Sequence, residues 1–217
     1  MLSVEKYQDE FNNFLKNFIP PNYPNNLYDP VKYILSLNGK RIRPILTLLT
    51  CDLFIKEYKS ALNAALAVEV FHNFSLVHDD IMDEAPLRRG RDTVHIKWDL
   101  NTAILSGDVM LILAYQLFEN YSGDTFVSLA QLFSKTAIEV CEGQQMDIDF
   151  TKQNIVSVSQ YLKMIEYKTA VLIGAAMKMG AIVAKASASN QKHIYDFGRN
   201  LGLAFQIQDD YLDTFGD

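Results

Sequence analysis

No proline follows Pro86, the last of six in the chain. Without the strongest helix breaker, the chain beyond that point is expected to form long helices. Cysteine is scarce too. Cys51 and Cys141 match no metal-ligand spacing and sit in apolar helical contexts, which leaves buried thiols in a reducing, cytoplasmic setting as the expectation. Positive charge is not in excess: the net charge of -6 argues against broad nucleic-acid binding and offers no global attraction for an anion. Any phosphate group must therefore be held by local cations. The start, Met1-Leu2-Ser3-Val4-Glu5-Lys6, lacks a basic region followed by an apolar run, so no signal peptide is expected. The most apolar stretch, Ala170 to Ala184, contains Lys178 and is short for a bilayer, so no integral membrane segment is expected either.

Strict apolar alternation is scarce, and there is no tandem repeat, low-complexity tract or linker long enough to separate domains. With 217 residues, 49% of them hydrophobic, one sizeable core is possible, and a single domain over residues 1–217 is expected. Helical spacing recurs in Leu62-Leu66-Glu69-Val70-Asn73-Phe74-Val77, in Met110-Leu113-Leu117 and in Leu129-Leu132-Phe133-Ile138. The fold class is therefore all-α. Breaks are expected at 20–24, 86–92, 122–124, 151–154 and 186–190, where proline, glycine and small polar residues gather.

Two acidic segments stand out in this helical pattern. Asp79-Asp80-Ile81-Met82-Asp83 and Asp209-Asp210-Tyr211-Leu212-Asp213 repeat one D-D-x-x-D arrangement. One is expected near the end of a helix starting around Ser60, the other near the end of a helix starting around Asn190. At about 3.6 residues per turn, the first and last aspartates of each segment share a helix face. Such carboxylates repel one another and favour a cation, and hard Mg²⁺ suits them while keeping sites for water and phosphate. A solvated acidic helix face is the plainer reading of either segment taken alone. Basic residues lie close by in sequence. Gly39-Lys40-Arg41-Ile42-Arg43-Pro44 sets three cations beside a turn glycine and a first-turn proline, and Arg88-Arg89-Gly90-Arg91 follows the first acidic segment. Arginine forks match phosphate oxygens.

These segments, with His72 to Asp83, Gly143-Gln144-x-x-Asp147, Lys168-Thr169 and Phe205-Gln206-x-Gln208-Asp209-Asp210-x-x-Asp213, make the chain resemble the trans-isoprenyl diphosphate synthases. The resemblance runs from Gly39 to the last residue. It implies a bundle of long, mostly antiparallel helices around a deep central cavity, and head-to-tail condensation of isopentenyl diphosphate with an allylic diphosphate. It assigns Asp79, Asp83 and Asp209 to Mg²⁺, with Asp80, Asp210 and Asp213 supporting the clusters. Arg88 and Lys168 are assigned to the allylic diphosphate. Lys40, Arg43, His72 and Arg89 are assigned to the metal-free isopentenyl diphosphate pocket, with Phe205 beside its hydrocarbon. Thr169, Gln206, Gln144 and Asp147 match positions at the reacting centre. Read alone, His72 fits a core histidine and Lys168 a surface lysine.

Chemistry agrees with these assignments. Ionising an allylic diphosphate concentrates negative charge on the leaving group, which metal ions and cationic side chains stabilise. Apolar walls protect the carbocation from water. An aromatic Phe74 and a small Ser75 before the first motif resemble short-chain synthases that make geranylgeranyl diphosphate, with Phe71 one turn deeper. Both phenylalanines also fit an ordinary core, and a C15 farnesyl product is the alternative. The chain stops four residues after the second motif, where relatives continue into further helices, so missing C-terminal helices are expected. A homodimer is a further expectation from the family. A terpene cyclase would not need the second basic pocket, and a non-catalytic subunit would be expected to lose aspartates of the two motifs.

Overall fold

The computed structural model describes residues 2–216 and is almost entirely helical. In chain order the helices are α1 (Val4–Lys16), α2 (Asn25–Ser36), α3 (Ile42–Phe54), α4 (Leu62–Met82), α5 (Val94–Lys97), α6 (Leu100–Gln116), α7 (Gly123–Phe150), α8 (Val158–Ile165), α9 (Val171–Val183) and α10 (Ala188–Phe215). Short 3₁₀ turns precede α4 and follow α6. A two-stranded hairpin, β1 (Leu87–Arg88) with β2 (Arg91–Asp92), occupies the expected break at 86–92. Its strands are too short to show alternation in sequence. The described residues form two compact units, one of Leu2–Ile45 with Leu62–Asn120, the other of Leu46–Ala61 with the chain from Tyr121 onward.

The first unit is built on α4. A helix with apolar residues all round belongs in a core. Accordingly Leu62, Leu66, Val70, Phe74 and Val77 are buried together with the alanines between them. α4 packs mainly against α6, and α2 packs on both. Asp99 caps the start of α6 by accepting from the Thr102 N–H at 2.8 Å. Among the described residues, Leu100–Asn120 is long and apolar enough to cross a membrane by length and composition alone. Its Ala103, Ser106, Met110 and Leu113 are buried in this unit, while Leu105 and Ile112 are exposed. The core also holds one buried ion pair. Arg41 on the loop before α3 turns inward to Glu69, and its second guanidinium nitrogen donates to the Leu35 and Leu37 carbonyls at 2.9 and 2.7 Å.

The second unit is built on α9, whose thirteen residues are nearly all buried. It packs against α10 and α7. Thr47 on α3 donates to the Ala176 carbonyl at 2.9 Å. Ser157 and Gln160 form a capping box at the start of α8, and Ser187 accepts from the Asn190 N–H at 3.2 Å to cap α10. Between α8 and α9 the helix widens into a π-turn, Glu166–Ala170. Apolar periodicity runs through this turn, so nothing in the spacing announces it.

Candidate active site

The first aspartate cluster sits where α4 ends. Asp79 is half-buried and Asp83, one turn on, is exposed, so the outer pair of carboxylates shares a face as the spacing requires. The helix stops in a left-handed residue, Glu84 at φ 50°, and the Ala85 N–H returns to the Asp80 carbonyl at 2.9 Å. Asp80 behaves differently from its neighbours. Only 1% exposed, it accepts from Arg88 Nε and Nη2 at 2.9 and 2.5 Å through one oxygen. Burial pushes its carboxyl up, and the Arg88 pairing opposes that rise. Asp80 thus ties the hairpin to α4, and Arg88 is committed to this carboxylate in the structure.

Arg89 and Gly90 form the tip of the hairpin, both with positive φ, 54° and 74°. That combination is the two-residue turn whose twist matches antiparallel strands. The turn delivers the Arg89 guanidinium to Gly39, where an added Cβ would lie 2.9 Å from Nη1. A methyl group there would require the guanidinium to shift. Arg43 Nη1 lies 3.3 Å from His72 Nε2. Burial, and then the charges of Arg43, Arg89, Arg88 and Arg41, hold His72 well below the usual imidazole range. Arg43 and Arg89 are themselves lowered, first by burial. Four guanidinium groups therefore crowd one imidazole, while Glu69 and Asp80 are the carboxylates already paired among them. Lys40 stands exposed on the loop before α3.

In the second unit, α7, α8, the π-turn and α10 assemble the other predicted residues. Lys168 donates to Asp147 at 2.5 Å. Thr169 donates to Gln206 Oε1 at 3.0 Å, and Gln206 Nε2 donates to Asp210 Oδ1 at 2.8 Å. The π-turn comes so close to α7 that a Cβ at Gly143 would lie 2.2 Å from the Lys168 nitrogen. The Gln144 amide nitrogen is buried without a hydrogen-bond partner, a donor held ready for an acceptor. Asp209 and Asp213 are exposed, and Phe205 is half-buried one turn before them on α10. Sequence reasoning missed Tyr161, whose hydroxyl donates to Asp210 Oδ2 at 2.6 Å. Burial and the Asp210 carboxylate push this phenol up to about 12. A tyrosine at that separation from the acidic motif carries no periodic cue.

The residues expected to set chain length lie in the first unit. Phe74 is 9% exposed, with its ring centroid 5.4 Å from that of Phe71 and 4.8 Å from that of His78. Ser75 folds its hydroxyl back to the His72 carbonyl at 2.8 Å, presenting no bulk beside Phe74. Among the described residues, no three His, Cys, Asp or Glu side chains form a ready-made metal cage. The donor set still suits a hard cation: pairs of carboxylates one turn apart hold Mg²⁺ through one or two oxygens and leave positions for phosphate.

An all-α fold with these aspartate and arginine motifs is that of the isoprenoid synthases, and solved structures superpose on it closely. A crystal structure of a geranylgeranyl pyrophosphate synthase matches with a TM-score of 0.98 at 57% identity, covering 100% of this chain and 66% of that one. The chain belongs to the polyprenyl synthetase family, whose sequence profile matches residues 24–217. The geranylgeranyl diphosphate synthase of Methanosarcina mazei is 39% identical over 201 residues, which is 92% of this chain and 62% of that protein. A polyprenyl synthase from Caulobacter crescentus, solved with calcium and isoprenyl diphosphate, matches at 28% identity with a TM-score of 0.88, over 97% of this chain and 64% of that one. The chain thus spans a little under two thirds of the Methanosarcina protein's length.

Proposed function

We propose that the protein is a Mg²⁺-dependent prenyltransferase that condenses isopentenyl diphosphate with an allylic diphosphate and releases geranylgeranyl diphosphate, a C20 product. The observation that carries this reading is the crowd of guanidinium groups around His72. Clustered cations are relieved by a polyanion, and a diphosphate supplies several oxygens to the arginine forks. Arg43, His72 and Arg89, with Lys40 from the loop before α3, form the metal-free pocket for isopentenyl diphosphate.

Asp79, Asp83 and Asp209 are the residues that would hold Mg²⁺, with Asp80, Asp210 and Asp213 supporting them. The ion, when bound, neutralises charge developing on the departing diphosphate. Lys168 adds a point charge for the allylic diphosphate, and Asp147 holds its ammonium in place meanwhile. The Gln144 donor and the Thr169–Gln206 pair line the reacting centre. Phe205 meets the hydrocarbon of the second substrate, and Phe74 with Phe71 sets the depth available to the product. This reading takes the chain as a single domain in the cytoplasm, where the free thiols, Cys51 buried and Cys141 exposed against the expectation of burial, remain reduced. It also takes the protein as a homodimer, supported by an apolar stripe on α6 where Leu105 and Ile112 are 58% and 56% exposed.

The test is direct. Folded protein supplied with Mg²⁺, isopentenyl diphosphate and farnesyl diphosphate is expected to yield a C20 diphosphate, read by chromatography of the dephosphorylated product. No elongation by protein with a native helical spectrum would overturn the enzyme, and a C15 product from geranyl diphosphate with no further extension would overturn the chain length.

A further inference from the structure

The second aspartate cluster is carried by the last turns of α10. From Ile207 to Gly216 every residue is exposed except Asp210. Asp210 differs because both of its oxygens are occupied. One accepts from Gln206 Nε2 at 2.8 Å and the other from the Tyr161 hydroxyl at 2.6 Å. The first donor lies one turn earlier on the same helix and reaches beyond it only through Thr169. The second comes from α8, so it ties these turns of α10 directly to another element.

A carboxylate with both oxygens satisfied by protein donors is a poor candidate for a metal, whereas its exposed neighbours Asp209 and Asp213 are open to one. A helix segment pinned at one point also has its rotation fixed there, and with it the direction of side chains one residue before and three after. Hydrogen bonds behind metal-binding groups act in this way, by orienting ligands they do not replace. We propose that Tyr161 is a positioning residue of the second aspartate cluster: its hydroxyl pins Asp210 and so aims Asp209 at the cation that accompanies the diphosphate. The inference rests on the diphosphate-binding function proposed above and extends it to a residue outside every motif of the sequence.

The variant Tyr161→Phe removes one oxygen and keeps the ring. Two readouts are needed, neither requiring turnover. Mn²⁺ titrated in the presence of inorganic pyrophosphate and followed by electron paramagnetic resonance is expected to bind about tenfold more weakly. Amide hydrogen exchange is expected to quicken in residues 207–216 and to stay unchanged in α4. In an Asp210→Ala background, which removes the acceptor, the same substitution is expected to add almost nothing, because the two groups act as one unit. Equal Mn²⁺ affinity in Tyr161→Phe and the unsubstituted protein would overturn the role of Tyr161 alone. So would an undiminished effect in the Asp210→Ala background, since the hydroxyl would then act elsewhere. Failure of the unsubstituted protein to bind Mn²⁺ with pyrophosphate would overturn both this inference and the functional reading beneath it.

Discussion

His72 is where burial and charge meet most sharply. In the unfolded chain its imidazole takes up a proton near 6.5, but in the folded protein burial and the surrounding arginines hold that uptake well below this value. The sign follows: the stability linked to His72 is complete above 6.5 and is lost as pH falls toward the lower folded value. Thermal melts between pH about 8 and about 5 are therefore expected to drop on the acid side, and more shallowly in His72→Asn. An equal drop in both proteins would mean that another group governs acid sensitivity. Phe74→Ala is expected to cost about 3–5 kcal/mol, as for other buried aromatics, and to lengthen the prenyl product. Denaturant midpoints read the first effect and product chromatography the second; unchanged chain length would remove Phe74 from the floor. The outer aspartates of each motif were legible because a spacing of four suffices to place them. The commitments of Asp80 and Asp210 were not, since Arg88 and Tyr161 approach from other elements.

Among the elements, the π-turn Glu166–Ala170 has little tolerance. It places Lys168 beside Asp147 and Thr169 beside Gln206, and it rests on Gly143 without space for a methyl group. Backbone cannot rotate aside as a long side chain can, so Gly143→Ala is expected to destabilise by about 1–3 kcal/mol and to lower turnover more than substrate affinity. Turnover near the unsubstituted value would show that the turn can shift without consequence. Helix-scale features were mostly legible: α4 and α10 begin within two residues of the expected starts and carry the motifs at their ends. Three features escaped. The hairpin has strands too short for a periodic pattern, the π-turn interrupts no apolar spacing, and the inward turn of Arg41 to Glu69 joins residues far apart in sequence.

At the scale of the whole molecule, the exposed stripe on α6 bears on assembly. Ile112→Glu is expected to convert a dimer to monomers, visible by sedimentation velocity, because a carboxylate cannot be desolvated there without a partner. A protein that sediments as a monomer before substitution would remove the dimer from the proposal. The acidic net charge gives no long-range pull on a diphosphate, so the arginine pocket must supply that attraction locally. The hairpin at its edge has a consequence for anyone diversifying this protein. Arg89 occupies a left-handed position that asparagine or glycine fits with less strain, while its guanidinium is what the pocket uses. A library screened for heat resistance would enrich Arg89→Asn or Arg89→Gly, and one screened for product would discard them. Selecting on both at once confines the gains to positions outside this turn.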